Sequence, residues 1–262
     1  MLTRLFFATS GALLLAGSSA AQGRYFFSVD WQSPLVGAPD PFTGIPITEG
    51  DMLRPQTSTS RPMLGPLPTP NVTWNHDSNL GLPGICIGHP GGTPCIVEVD
   101  AFSTGSDRAF PPNFAIDPGQ ILFSVDEFAR GLSGGPLPNV RSEAAAREAA
   151  ADVFTTIQSM PPGPVGAFFP GRNIGVIDGD GLPSTSGYSY PGVGLREPIL
   201  VNASPFETGD NKDAIEYADA TFFGLYFSLD SGFVDPLEGL TNSGSAAANG
   251  FVGGDVLRRI AG

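Results

Sequence analysis

The residues in this chain best suited to chemistry are its carboxylates. Asp178-Gly179-Asp180-Gly181 alternates acids with glycines, and Asp210-Asn211-Lys212-Asp213 sets four polar side chains in a row. Hard cations take oxygen ligands from acids held on tight turns, so Asp178, Asp180, Asp210 and Asp213 are the candidate ligands for Ca2+. An EF-hand loop adds a third early donor and a closing Glu, and neither stretch has them. The competing reading is a turn in which Asp, Asn and Gly bend the chain between strands.

Other catalytic chemistries lack their parts. His76 and His89 are the only histidines, and they are too few for a recognised zinc ligand set. Gly187-Tyr188-Ser189-Tyr190-Pro191 lacks the final glycine of a hydrolase elbow, and His89-Pro90-Gly91-Gly92 resembles an oxyanion loop only superficially. No catalytic residue is assigned, and the expectation is a protein that is not an enzyme. The alternative is a glycosidase working through paired carboxylates, which 26 acidic residues leave open. Sugar clefts present Trp and Tyr platforms, whereas 19 Phe outnumber 5 Tyr and 2 Trp here, and Phe most often fills cores. Cys86 and Cys95 are the only cysteines, an even pair expected to close a short Gly-Pro-rich loop as a disulfide.

The elements that would position these groups announce themselves by repetition. Phe27-Ser28-Val29-Asp30 returns as Phe123-Ser124-Val125-Asp126 and as Phe227-Ser228-Leu229-Asp230. Each is followed by a second phrase, Gly50-Asp51-Met52-Leu53, Ala151-Asp152-Val153-Phe154 and Gly254-Asp255-Val256-Leu257, with 21, 26 and 25 residues between the paired aspartates. Leu80-Gly81-Leu82 precedes Asp100 by 18 residues, and Val193-Gly194-Leu195 precedes Asp213 by the same 18. Four phrases in one order describe two units, about 25–105 and 121–218, and a half unit at 222–262. The repeated aspartates read as strand-end acids that accept backbone N–H bonds at a corner.

The phrases are short aromatic and β-branched runs bounded by Gly, Pro or Asp, which predicts strands at 25–29, 120–125 and 222–229. With 35 Gly and 26 Pro, long helices have little room. Short helices are expected at 142–158, capped by Ser142, and at 243–249. The predicted fold is mostly β, a single domain of internal repeats forming a propeller-like array, with a β-sandwich as the alternative. A chain that begins and ends on the same half unit would close a ring by pairing its ends.

Residues 1–21 read as a signal peptide, with Arg4, an apolar run from Leu5 to Ala16 and the small residues Ser19-Ala20-Ala21. The mature domain would then span 22–262. No other apolar run is long enough for a membrane span. The formal charge of −13 repels phosphates, so nucleic acid is excluded as a partner. In the order of its phrases the chain resembles a group of exported, uncharacterised repeat proteins of environmental bacteria. That resemblance implies export and a β-rich repeat fold, and it carries over no catalytic residue. The expected function is a non-catalytic structural or interaction module, periplasmic, cell-surface or extracellular, with Ca2+ as its sole candidate cofactor.

Overall fold

The computed structural model describes residues 26–30, 33–56, 69–83, 97–104, 121–156, 172–183, 187–188, 190–197, 209–217, 225–229, 245–251 and 255–258. The predicted signal peptide, Cys86 and Cys95 lie outside the described residues. So does Asp230.

Nine short strands form three antiparallel sheets among the described residues. β1 (Met52–Pro55) pairs with β2 (Asn71–Asn75). The central sheet runs β3 (Phe102–Thr104), β4 (Ile121–Phe123), β5 (Val153–Thr156) and β6 (Asn173–Ile177) in chain order. The third joins β7 (Ala214–Tyr217), β8 (Leu225–Ser228) and β9 (Leu257–Arg258). The sheets are open, and among the described residues the first and last strands are not paired into a ring. No helix is long and apolar enough to cross a membrane.

The first and second phrases meet in one register in all three places. Phe27 bridges Leu53, Phe123 pairs with Phe154 and Phe227 pairs with Leu257, and each partner lies two residues beyond Asp51, Asp152 or Asp255. The fourth phrase, Val99-Asp100-Ala101-Phe102 and Lys212-Asp213-Ala214-Ile215, then pairs with the first phrase that follows it, Phe102 with Phe123 and Ile215 with Phe227. The four-stranded and three-stranded sheets thus draw their leading strands, β3 and β7, from the segment before the phrase they pair with.

Strand period sets the core. In β4, Ile121 and Phe123 join one apolar cluster with Met52, Leu80, Leu82, Val97, Val99 and Phe154, while Leu122 joins a second with Val153, Ile177, Leu195, Ile215 and Phe227. Both faces of the central strand are buried because alternate side chains point opposite ways. The Phe123 and Phe154 rings lie 6.0 Å apart across the pair, and full burial of each stabilises by roughly 1.5–3 kcal/mol.

The first helix is shorter than predicted. α1 covers Val140–Ala146 and begins at Asn139, not Ser142. The Asn139 side chain accepts from Ser142 N at 3.1 Å and Ser142 Oγ accepts from Asn139 N at 2.9 Å, a reciprocal capping box. The helix stops at Arg147, in the left-handed region at φ 67°. Ala149–Ala151 then form one 3-10 turn, and Val153 onward is claimed by β5, because pairing with β4 and β6 overrides the local helical preference that the alanine run lends this stretch. α2 covers Ser245–Asn249 within the predicted 243–249, and positions 243 and 244 lie outside the described residues.

Candidate functional site

Two polar corners stand out, and the same local construction makes both. Between β1 and β2 the register slips at Met52/Leu53, and between β5 and β6 it slips at Val153/Phe154. A bulge re-aims the side chain beside it. Here the slip turns Asp51 and Asp152, each one residue earlier, onto the end of the neighbouring strand. Asp51 Oδ1 accepts from Asp77 N at 3.0 Å, and Asp152 Oδ1 accepts from Gly179 N at 3.0 Å. Leu82 N donates to Asp77 O at 3.2 Å and Leu195 N to Gly179 O at 2.8 Å. The preceding Gly81 and Gly194 share a left-handed φ, 78° and 79°, which only glycine adopts without strain. Asp51 and Asp152 therefore act as backbone fasteners, the role expected of the repeated aspartates. Asp126, from the first phrase, accepts a longer bond of 3.4 Å from Phe128 N.

The corner at Asp51 holds Asp77 and His76. Asp51 Oδ2 accepts from Thr48 N at 3.0 Å, and Asp77 Oδ2 accepts from Thr48 Oγ1 at 2.9 Å. His76 opens the 3-10 turn Asp77–Leu80, with Nδ1 accepting from Ser78 N at 3.3 Å. Nδ1 also lies 2.5 Å from Asp77 Oδ1, and Nε2 lies 3.8 Å from Asp51 Oδ1. Both aspartates are fully buried. Burial, with the nearby Asp77 charge, outweighs His76 and the N–H donors and pushes Asp51 up to about 7. Burial pulls His76 down, but Asp77 and Asp51 prevail and hold the imidazole above its ordinary value.

The corner at Asp152 gathers Asp178, Glu197, Tyr190 and Lys212. Tyr190 OH donates to Asp152 Oδ2 at 2.6 Å. Glu197 accepts from Gly179 N at 3.1 Å and from Asp180 N at 3.3 Å. Asp178 Oδ1 accepts from Asp180 N at 3.1 Å and Gly181 N at 2.7 Å. A Cβ at Gly179 would run into the Glu197 carboxylate and stand 2.6 Å from Ala151 Cβ, so the approach requires glycine. Burial pushes Asp152 up to about 7 and, with the charges of Asp152, Asp178 and Asp180, drives Glu197 up to about 11. Asp152, hydrogen-bonded to Glu197, is among the neighbours that hold the Glu197 carboxyl above the ordinary carboxylate range. Lys212 is wholly buried, its Nζ has no hydrogen-bond partner, and burial pulls it down to about 8 against the attraction of Asp152 and Glu197.

The four predicted calcium ligands do not converge. Asp178 and Asp180 share one turn and Asp178 joins Asp152 and Glu197. Asp210 is buried and fastens two segments, accepting from Arg196 N at 2.8 Å and from Ser245 N at 2.6 Å. Asp213 is exposed at the start of β7. Among the described residues, the groups whose ligand atoms do come together are Asp51, His76 and Asp77, and Asp152, Asp178 and Glu197, each within 4.8 Å of one another. The sequence carried a faint signal for them, since His76 follows Asp51 by 25 residues and Asp178 follows Asp152 by 26.

No protein-family model, no curated protein and no solved structure matches this chain.

Proposed function

We propose that this protein is a non-catalytic, exported β-repeat module that serves a structural or interaction role outside the cytoplasm, its repeated units arranged as blades of a propeller-like array. The observation that supports it best is the corner made twice: the Asp-to-backbone bond, the register slip and the left-handed glycine recur at corresponding positions. Such acids join strands, and a group engaged by backbone donors inside the fold is poorly placed to meet a substrate. Asp152 and Asp178 are both buried.

The carboxylate hydrolase is the weaker reading for the same reason. Retaining and inverting glycosidases both need two acids flanking an open cleft. Calcium at the Asp152 corner is weaker too, because the buried Lys212 already brings a positive charge there. Assay of the purified protein on a panel of aryl glycosides tests the module. No turnover above buffer is expected, and turnover that disappears in Glu197→Gln would establish the hydrolase instead.

A further inference from the structure

One position separates the two corners. Lys212 N donates to Ala150 O, two residues before Asp152, at 3.2 Å, and Val99 N donates to Glu49 O, two residues before Asp51, at 3.4 Å. Val99, 1 % exposed, thus stands where the other corner has a lysine, and Lys212 is the only lysine of the chain. A place that suits valine offers an ammonium no water. Lys212 has no exposure, and its Nζ has no hydrogen-bond partner among the described residues and lies 5.8 Å from the centre of the Phe227 ring. A buried cation left so costs free energy that an uncharged amide nitrogen does not.

We propose that Lys212 Nζ and the Glu197 carboxyl condense into an intramolecular amide, with Asp152 as the base, and so cross-link the segment entering β7 to the segment that follows Leu195. The backbone brings the two residues together from both sides. Asp210 N donates to Arg196 O at 2.9 Å and Arg196 N donates to Asp210 Oδ2 at 2.8 Å, which fastens the residue before Glu197 to the residue two before Lys212. Glu197 also reaches over Gly179, where an added Cβ would meet both its carboxylate and Ala151, and Ala151 follows the residue that Lys212 N engages. Lys212 and Glu197 thus flank one short run, Ala150 to Asp152. Gly179 N donates to Glu197 Oε1 at 3.1 Å and Asp180 N donates to Oε2 at 3.3 Å, and backbone donors aimed at a carboxyl are what stabilise the oxyanion of acyl transfer. Asp152 serves both partners, as the largest charge acting on Lys212 and as a hydrogen-bond partner of Glu197. Burial draws Lys212 down to about 8, toward the free amine that attacks. Burial and the neighbouring acids hold Glu197 up, toward the form whose hydroxyl can leave, whereas Asp152 is raised less and is left to act as the base.

The step balances without a co-reactant. Asp152 takes one proton from the ammonium, and the freed lone pair attacks Cδ of the protonated Glu197 carboxyl. A second proton passes from nitrogen to the carboxyl hydroxyl, which departs as water. A C–N bond has replaced a C–O bond, one hydrogen stays on the amide nitrogen, and Asp152 holds the first proton. Fixing amine and carboxyl side by side supplies the effective concentration that free condensation lacks, and exclusion of water suppresses the reverse hydrolysis. The amide is uncharged in the folded and unfolded chain alike, so the pH dependence of stability lies with the acids that remain.

A single lysine makes the test direct. The purified full chain, reduced and denatured in guanidinium, is expected to weigh one water less than its sequence counted from the observed N-terminus. An amine-reactive ester should then label the α-amine alone, and fragmentation of the digest should place the bond between Lys212 and Glu197. Lys212→Arg and Glu197→Ala should each restore the full mass. Asp152→Asn should leave most chains unlinked, and Asp178→Asn should leave the link intact. The wild-type mass and label count decide even where a variant fails to fold. A wild-type chain of full mass whose Lys212 takes the label, a bond from Lys212 to any other carboxyl, or a link undiminished in Asp152→Asn would each overturn the proposal.

Discussion

Tyr190 shows how much one hydroxyl carries at the Asp152 corner. Its ring lies against Gly175 in β6, where an added Cβ would stand 2.8 Å from ring carbons, so sheet and tyrosine hold each other in place. The hydroxyl then reaches Asp152 Oδ2 at 2.6 Å. Burial raises Asp152, and the Tyr190 hydrogen bond is the largest influence opposing that rise. Tyr190→Phe keeps the ring and leaves a buried carboxyl oxygen unpaired. The expected cost is about 1–3 kcal/mol, read as a lower denaturant midpoint at unchanged slope. An unchanged midpoint would mean that water replaces the hydroxyl. None of this was legible beforehand: Tyr190 sits in a Ser-Tyr-Pro run whose only sequence signal was an incomplete hydrolase motif. Its partner lies 38 residues away, and pairing over such a distance is fixed by sheet register rather than by local spacing.

At the scale of elements, Asn173 joins pieces that sequence keeps apart. It opens β6, its Oδ1 accepts from Val140 N at the first turn of α1 at 2.9 Å, and its Nδ2 donates to Leu80 O at 2.7 Å. One side chain thereby satisfies an orphan helix N–H and a carbonyl at the end of the 3-10 turn that follows His76. Asn173→Ala is expected to destabilise by roughly 2–3 kcal/mol, two buried hydrogen bonds with their partners left unsatisfied. The loss should appear in hydrogen exchange as faster opening at both α1 and Leu80–Leu82, and protection lost at α1 alone would refute the link. Two strands were readable, β4 and β8, inside the aromatic runs expected as strands at 120–125 and 222–229, whereas β5 lies in the stretch expected to be helical, because its pairing with β4 and β6 is fixed by partners distant in sequence. The helix start was misplaced because Ser142 and Asn139 are both good caps. The structure uses both, Asn139 as the cap and Ser142 as the residue that bonds back to it.

Across the whole molecule, the unusual quantity is the number of acids retained inside. Asp152 is raised to about 7 by burial, and Glu148 to about 8 by burial and by the charges of Glu143 and Asp152. Their ordinary values are 3.8 and 4.5, so between about pH 4 and 7 the folded chain holds protons that the unfolded chain has released. Stability must then fall as pH rises through that window, opposite to the usual salt-bridged carboxylate. Lys212 does not reverse the trend, because its lowered value of about 8 leaves it charged in both states across the window. Asp40 bounds the effect from below. Three backbone donors outweigh its burial and hold it under its ordinary value, so its contribution is complete above that value and lost in stronger acid. Thermal unfolding in chelator-containing buffer is therefore expected to give its highest melting temperature near about pH 4–5 and a steady decline toward about pH 7. Surface repulsion in a chain of formal charge −13 would produce a decline of the same sign, yet repulsion between exposed charges is screened by salt and a buried proton is not. A decline that persists in about 1 M salt, where exposed charges are screened within about 3 Å, identifies the buried carboxyls as its source. A decline that vanishes there assigns it to the surface, and a melting temperature that rises with pH would show that these acids are ionised in the fold.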